Sequence, residues 1–176
     1  MTPQDAVRRG ARQAGPIKTH IQLSEKQMTQ SDILIRAPRP GDHARLSAIW
    51  YAASREAHGF LGEDRLRAQR KLIETQYLPG SELWLACRQD RPVGFIGLLG
   101  AFIGGLFVAP EQQGQGIGRA LVAHAAGLKG RLELEVYSAN ARACAFYRGL
   151  GFVEVSRRPD DDEGLPFETL RLRREA

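Results

Sequence analysis

Gln113-Gly114-Gln115-Gly116-Ile117-Gly118-Arg119 places three glycines in five positions at the start of a helical pattern. Ile117, Leu121, Val122, Ala125 and Leu128 continue it as an apolar stripe. Glycines at that density let a backbone approach a ligand closely and take turns closed to other residues. The first amide N–H groups of a helix have no partner within it, and its dipole favours an anion there. The chemistry suggested is the cradling of a diphosphate, with a plain connecting turn as the other reading of a lone G-x-G. The segment has no Gly-Lys-Ser/Thr, which excludes a nucleotide-triphosphate loop. It also lacks GxGxxG after a first parallel strand, which argues against a dinucleotide fold.

A second set of residues lies downstream. Asn140, Ala143 and Tyr147 recur at i, i+3 and i+7, so one helical face presents them together. Just before them, Leu132, Leu134 and Val136 alternate with Glu133, Glu135 and Tyr137, the period of a strand. Cys144 has no His/Asn partner pattern around it and reads as a small buried residue.

The elements that position these groups follow from the same patterns. Residues 1–31 lack apolar periodicity and read as a flexible basic extension, with Met28 a candidate natural start; residues 32–176 form one domain. A short strand at Ile33–Ile35 precedes a helix over 40–57. A second helix runs from Asp64 to Tyr77 with Leu66, Ile73 and Tyr77 on its buried side, stopped by Pro79-Gly80. Strands follow at 83–88, 93–99 and 102–108. The order then alternates: helix 116–128, strand 131–137, helix 140–149, strand 152–157 and a last strand at 167–172. The expected fold class is α/β, a mixed sheet whose first strands pair antiparallel and whose later strands alternate with helices.

Gln113-x-x-Gly116-x-Gly118 resembles the Q/R-x-x-G-x-G/A signature of the GNAT superfamily of N-acetyltransferases. Asn140-x-x-Ala143-x-x-Phe146-Tyr147-x-x-x-Gly151-Phe152 resembles its second signature, at the usual distance. The resemblance covers residues 32–172 in element order and 106–152 in detail. It implies transfer of an acetyl group from acetyl-coenzyme A (acetyl-CoA) to a primary amine, by direct attack in a ternary complex. The pyrophosphate would lie on the amides of Gln113, Gly114, Gly116, Gly118 and Arg119. The pantetheine arm would pair with the main chain of Leu106, Phe107 and Val108, with a bulge at Gly104-Gly105. Gln113 stands where an arginine is commoner. The Val108 amide would polarise the thioester oxygen, Asn140 would cap its helix and touch the arm, and Tyr147 would protonate the leaving thiolate.

The base is open. Glu135 resembles the glutamate that some ribosomal-protein N-terminal acetyltransferases use, whereas the glutamate many relatives carry on the preceding strand is missing from 101–108. Glu135, His58 and proton loss through water remain. His58 and Phe60, between the first two helices, fall where the resemblance puts the acceptor wall. The acceptor is a protein lysine or N-terminal amine, or a small amine. The acidic Asp160–Glu163 run reads as a solvated tip.

The whole chain agrees with an enzyme of this size. Its 176 residues carry a net charge of +5, and three of those charges belong to residues 1–31. That distribution speaks against nucleic acid as a main partner. No apolar run reaches the roughly 20 residues that span a bilayer. Two distant cysteines suit a reduced, cytoplasmic setting with no metal site. A non-catalytic acyl-CoA sensor is the rival reading from another class, and the oligomeric state is monomer or homodimer.

Overall fold

The computed structural model describes residues 33–57 and 59–176; the basic extension lies outside them. A seven-stranded sheet runs in the order β1-β2-β3-β4-β5-β7-β6. Its strands are β1 (Leu34–Arg36), β2 (Glu82–Arg88), β3 (Arg91–Leu99), β4 (Phe102–Val108), β5 (Leu132–Tyr137), β6 (Val153–Arg158) and β7 (Thr169–Arg174). The mixed α/β class expected from the sequence is found. All neighbours are antiparallel except β4 and β5, which are parallel.

Helices cover both faces. On one, α1 (Asp42–Ala57) buries Leu46, Ile49, Trp50 and Ala53, a stripe at helical spacing. These pack with Leu83, Leu85 and Phe95 of the sheet and Leu66 of α2 (Glu63–Leu72). The second helix ends at Pro79-Gly80 as expected, though not as one regular α-helix. It passes through a π-turn at Ile73–Tyr77 and ends in α3 (Leu78–Gly80). Pro79 fits because it stands in the first turn of that last piece, where a missing N–H does no harm.

On the opposite face, α4 (Ile117–Lys129) and α5 (Ala141–Gly149) share a core with the sheet. Ile117, Leu121, Val122 and Ala125 of α4 and Cys144 and Tyr147 of α5 meet Leu132, Leu134, Val136, Leu170 and Leu172 there. Burial pushes the Cys144 thiol up, and the side chain donates weakly to the Tyr137 carbonyl at 3.6 Å, as a structural cysteine would. Every expected element is present, most with ends shifted by one or two residues, the usual uncertainty of helix and strand termini.

Candidate active site

The site begins where the sheet splits. Parallel pairing of β4 with β5 consists of Phe102–Glu133 and Ile103–Leu134, and then ends. The register between β3 and β4 shifts here: Gly97 faces Gly105 while Leu98 faces Ile103, so Gly104 is the extra residue of a bulge. A bulge bends its strand and increases the local twist, which carries the rest of β4 away from β5. The family resemblance implied a bulge at Gly104-Gly105, and one is there.

What the split leaves open follows from antiparallel alternation. The Ala109 N–H donates to the Val93 carbonyl at 2.9 Å, so the Val93–Ala109 and Phe95–Phe107 pairs are the hydrogen-bonded ones. The main-chain groups of Leu106 and Val108 therefore point away from β3, toward the gap. Those of Phe107 are directed to β3, so of the three residues expected to offer main chain, Phe107 is the one the ladder occupies. Its ring lies on the α1 side instead, 5.4 Å from Phe95 and 6.3 Å from Trp50. The Val108 carbonyl accepts from the Gln113 side-chain amide at 3.1 Å, tying the strand end to the glycine loop. That contact gives Gln113 a role in this chain where an arginine is commoner.

The loop has the predicted geometry. Gly114 and Gly116 lie at φ +74° and +80°, and an added Cβ at either would meet nothing within 4 Å. Both therefore need glycine for backbone conformation, with open space on the ligand side. Gly118 differs: a Cβ there would come 3.2 Å from the Phe146 ring, so its smallness lets α4 sit against α5. Gly116 caps α4, and its carbonyl accepts from Ala120 at 3.0 Å, so the preceding amides of that turn have no helical partner. Arg88 donates to the side-chain oxygens of Gln112 and Gln115 and steadies the loop from behind.

A cleft of about 1080 Å³ joins these parts. Leu106, Phe107, Val108, Gln113, Gly114, Gly116, Gly118, Arg119, Glu135, Asn140 and Tyr147 all line it. Asn140 caps α5 by accepting the Ala143 amide at 3.0 Å. Tyr147 is 8% exposed and packs edge-on against Phe146 and Phe152. Burial, with a smaller push from the Tyr77 phenol, holds Tyr147 well above the usual phenol value. It therefore carries its proton at neutral pH.

Phe60, expected in the acceptor wall, does not itself line the cleft but packs beside Tyr137, which does. Phe60 is 42% exposed and meets Tyr137 and Phe167 at ring distances of 5.6 and 5.4 Å. His58 lies outside the described residues. Glu135 lines the cleft, and its Oε2 accepts from Arg158 at 2.6 Å, through a nitrogen that also donates to Asp162 at 2.6 Å. Nothing in the sequence flagged Arg158, because it comes from β6, two strands across the sheet.

The acidic loop is not simply a solvated tip. Asp161 is 7% exposed. Its carboxylate accepts the Glu163 and Leu165 amides and pairs with Arg65 at 2.9 Å. Burial pushes that carboxyl up, but the two amides and Arg65 outweigh it and leave it below the ordinary value. Asp-x-x-Gly at 161–164 is the turn signal that could have shown this. Tyr77, expected as a core residue, packs its ring over the bulge. A Cβ on Gly97, Gly104 or Gly105 would come within 2.3, 3.0 and 3.2 Å of its hydroxyl. That hydroxyl is buried with the Ser81 side chain as its polar neighbour, and burial, only partly offset by Ser81, pushes it up to about 12.

An open strand edge takes up an extended arm with amides, and a partnerless helix start takes up a diphosphate. Together they define an acyltransferase that draws its acyl group from coenzyme A. The acetyltransferase (GNAT) domain family matches residues 79–154. The chain is 38% identical over 141 residues to the peptidyl-lysine N-acetyltransferase YjaB of Salmonella typhimurium, covering 80% of this chain and 97% of that one. It is 36% identical over 141 residues to YjaB of Escherichia coli, covering 80% and 95%. The solution structure of apo-form YjaB from Escherichia coli superposes with a TM-score of 0.74 at 35% identity, over 80% of this chain and 96% of that one.

The chain belongs to the GNAT superfamily, as a small N-acetyltransferase of the bacterial type. Acetyl-CoA is its cosubstrate, and the donors present fit that molecule. The Leu106 and Val108 main chain would hold the pantetheine, and the amides at Gly114–Arg119 the pyrophosphate. Among the described residues no His, Cys, Asp and Glu group is suited to a metal ion. None of their helices is long and apolar enough to cross a membrane.

Proposed function

We propose that this enzyme acetylates the ε-amine of lysine in a protein or peptide, by direct attack on the thioester within a ternary complex. The supporting observation is that the cleft runs through the sheet. The open edge of β4 lines one part of it, and Glu135, Tyr137 and the acidic loop line another. Acidic side chains at the mouth suit a cationic acceptor, and the acceptor named for the YjaB relatives is peptidyl-lysine. A small-amine acceptor is the alternative within the same chemistry.

Each residue has one task in this reading. The Val108 N–H, directed into the gap, donates to the thioester oxygen as charge builds on it. Tyr147, protonated at neutral pH, gives its proton to the departing sulfur. Glu135 takes a proton from the acceptor ammonium through the oxygen that Arg158 leaves unbound. Asn140 holds the start of α5 so that Tyr147 faces the cleft. Replacement of Glu135 by Gln removes the base without changing its shape, so the ascending limb of the pH–rate profile moves. An unmoved limb assigns proton removal to water.

The decisive experiment incubates the purified protein with acetyl-CoA and lysine-containing peptides, beside a panel of small amines. Thiol release and the mass of each acceptor are followed together. Acetylated lysine with matching thiol release supports the reading. Turnover confined to small amines replaces the peptide acceptor, and saturable coenzyme binding without turnover on any acceptor leaves a sensor.

A further inference from the structure

The face of the sheet away from α4 and α5 changes character beyond β4. Leu132, Leu134, Val136, Leu170 and Leu172 point into the α4/α5 core, so their strand neighbours point to the other side. There β5 presents Glu133, Glu135 and Tyr137, and the β7 residues opposite them are Arg173, Arg171 and Thr169. On this side α1 and α2 pack over the other half of the sheet, against Leu83, Leu85 and Phe95.

The charges on this face do not balance. Glu133 is the shared partner of three guanidiniums. Arg171 reaches it at 2.6 Å, Arg173 at 2.9 Å and Arg131 at 3.8 Å. The carboxylate side chain is 11% exposed while the three arginines are 46%, 37% and 57% exposed. One carboxylate answers one charge, so two positive charges remain at the surface. Arg173 meets Glu133 through its Nε, and its side chain is more than a third exposed. A structural role for Glu133 needs one of these arginines, or two, but not three.

The strip also stands at a useful distance. Glu135, at the cleft, and Glu133 are two residues apart on one strand, about 7 Å. Two residues of an extended peptide span the same length. An acceptor whose lysine enters beside Glu135 would lay residues near it in sequence across Arg171, Arg173 and Arg131. Exposed guanidiniums pair with carboxylates in a two-pronged geometry. The mouth stays acidic on balance, because Glu135, Asp161, Asp162 and Glu163 are met there by Arg65 and Arg158 alone among the ion pairs of the described residues. An acidic mouth beside a basic strip suits a short segment of mixed charge better than the uniform charge of a nucleic acid.

We infer that Arg131, Arg171 and Arg173 form a docking strip for acidic side chains close to the acceptor lysine, so that preferred substrates carry Asp or Glu within about two to four residues of it. The inference rests on the peptidyl-lysine reading and narrows its substrate class.

The test uses the full chain with acetyl-CoA and peptides of equal length. Each holds one lysine flanked on one side by aspartates, serines or arginines, with a small lysine derivative as a flank-free acceptor. Wild type should show kcat/KM about three- to tenfold higher for the aspartate peptide than for the serine peptide, a gap that shrinks at high salt. Arg171→Glu with Arg173→Glu should invert the order and favour the arginine-flanked peptide, with the small acceptor unaffected. That double reversal strips Glu133 of its closest partners. Arg131→Glu, which removes the longest of the three contacts, is the second variant and should reduce the preference without loss of fold. Equal rates on all flanks overturn the inference and leave lysine acetylation standing. An equal fall on every acceptor in folded variants also overturns it and makes the strip structural. Turnover on the small acceptor but on no peptide removes the peptidyl-lysine reading itself. Competition of duplex DNA with peptide, without any flank preference, assigns the strip to nucleic acid instead.

Discussion

Ile103 and Leu134 are the last residues of β4 and β5 that face one another, and the residue after Ile103 is the bulged Gly104. The sheet's one parallel pairing among the described residues thus ends where the bulge begins, and the gap beyond it opens into the cleft. Tyr77 occupies the other side of this bulge, its ring fitted to the glycines.

That fit makes Gly97 a sensitive position. A Cβ there would stand 2.3 Å from the Tyr77 hydroxyl and 2.9 Å from the ring carbon bearing it. Gly97→Ala should destabilise the protein by about 1–3 kcal/mol through overpacking, as read by chemical denaturation. Tyr77→Phe alone removes a buried hydroxyl held at most weakly by Ser81, and should change stability by no more than about 1 kcal/mol. Together the two should cost less than their sum, because the hydroxyl is the nearer of the two clashing atoms. Strict additivity would mean that Tyr77 moves freely.

Tyr147→Phe keeps the edge-on packing with Phe146 and Phe152 and removes only the acidic proton. Turnover should fall by about 100-fold or more, while calorimetric titration with coenzyme A gives an affinity within about twofold of wild type. Unchanged turnover would show that the thiolate leaves unprotonated.

Gly116→Val places a branched side chain at φ +80°, a backbone conformation that such residues avoid. The start of α4 must then reorient, and its amides no longer converge. Coenzyme binding should be lost while circular dichroism shows the folded sheet. Normal affinity would show that the diphosphate lies elsewhere.

Acid stability should depend on Asp42. The Arg36 guanidinium bound to its carboxylate at 2.7 Å, with help from the Arg39 amide, holds it below the ordinary value. A carboxyl with a lowered folded pKa contributes stability above its unfolded value, near 3.8, and loses that contribution as pH falls through the folded value. Thermal melts should therefore be flat near neutrality and decline from about pH 4 downward. Asp42→Asn should lower stability at pH 7 by about 1–3 kcal/mol and weaken the acid decline. An unaltered acid limb would assign the loss to other carboxylates, such as Glu133 and Asp161.

Much of this was present in the chain itself. Element order, the glycine loop, the Asn140 cap and the shared face of Asn140 and Tyr147 depend on residues close in sequence. Local backbone preferences and helical spacing act over a few residues, and so they can be read from one. Tertiary structure decided what local spacing does not encode. Arg158 meets Glu135 because β6 and β5 flank β7, and Asp161 is buried because Arg65 of α2 lies across the loop from it. Arg171 and Arg173 join Arg131 at Glu133 only when β5 and β7 pair in one register. Phe107 loses its expected main-chain role to the hydrogen-bond alternation set by β3. These relations join residues 12 to 96 positions apart, and only the paired sheet with its packed helices brings such residues together.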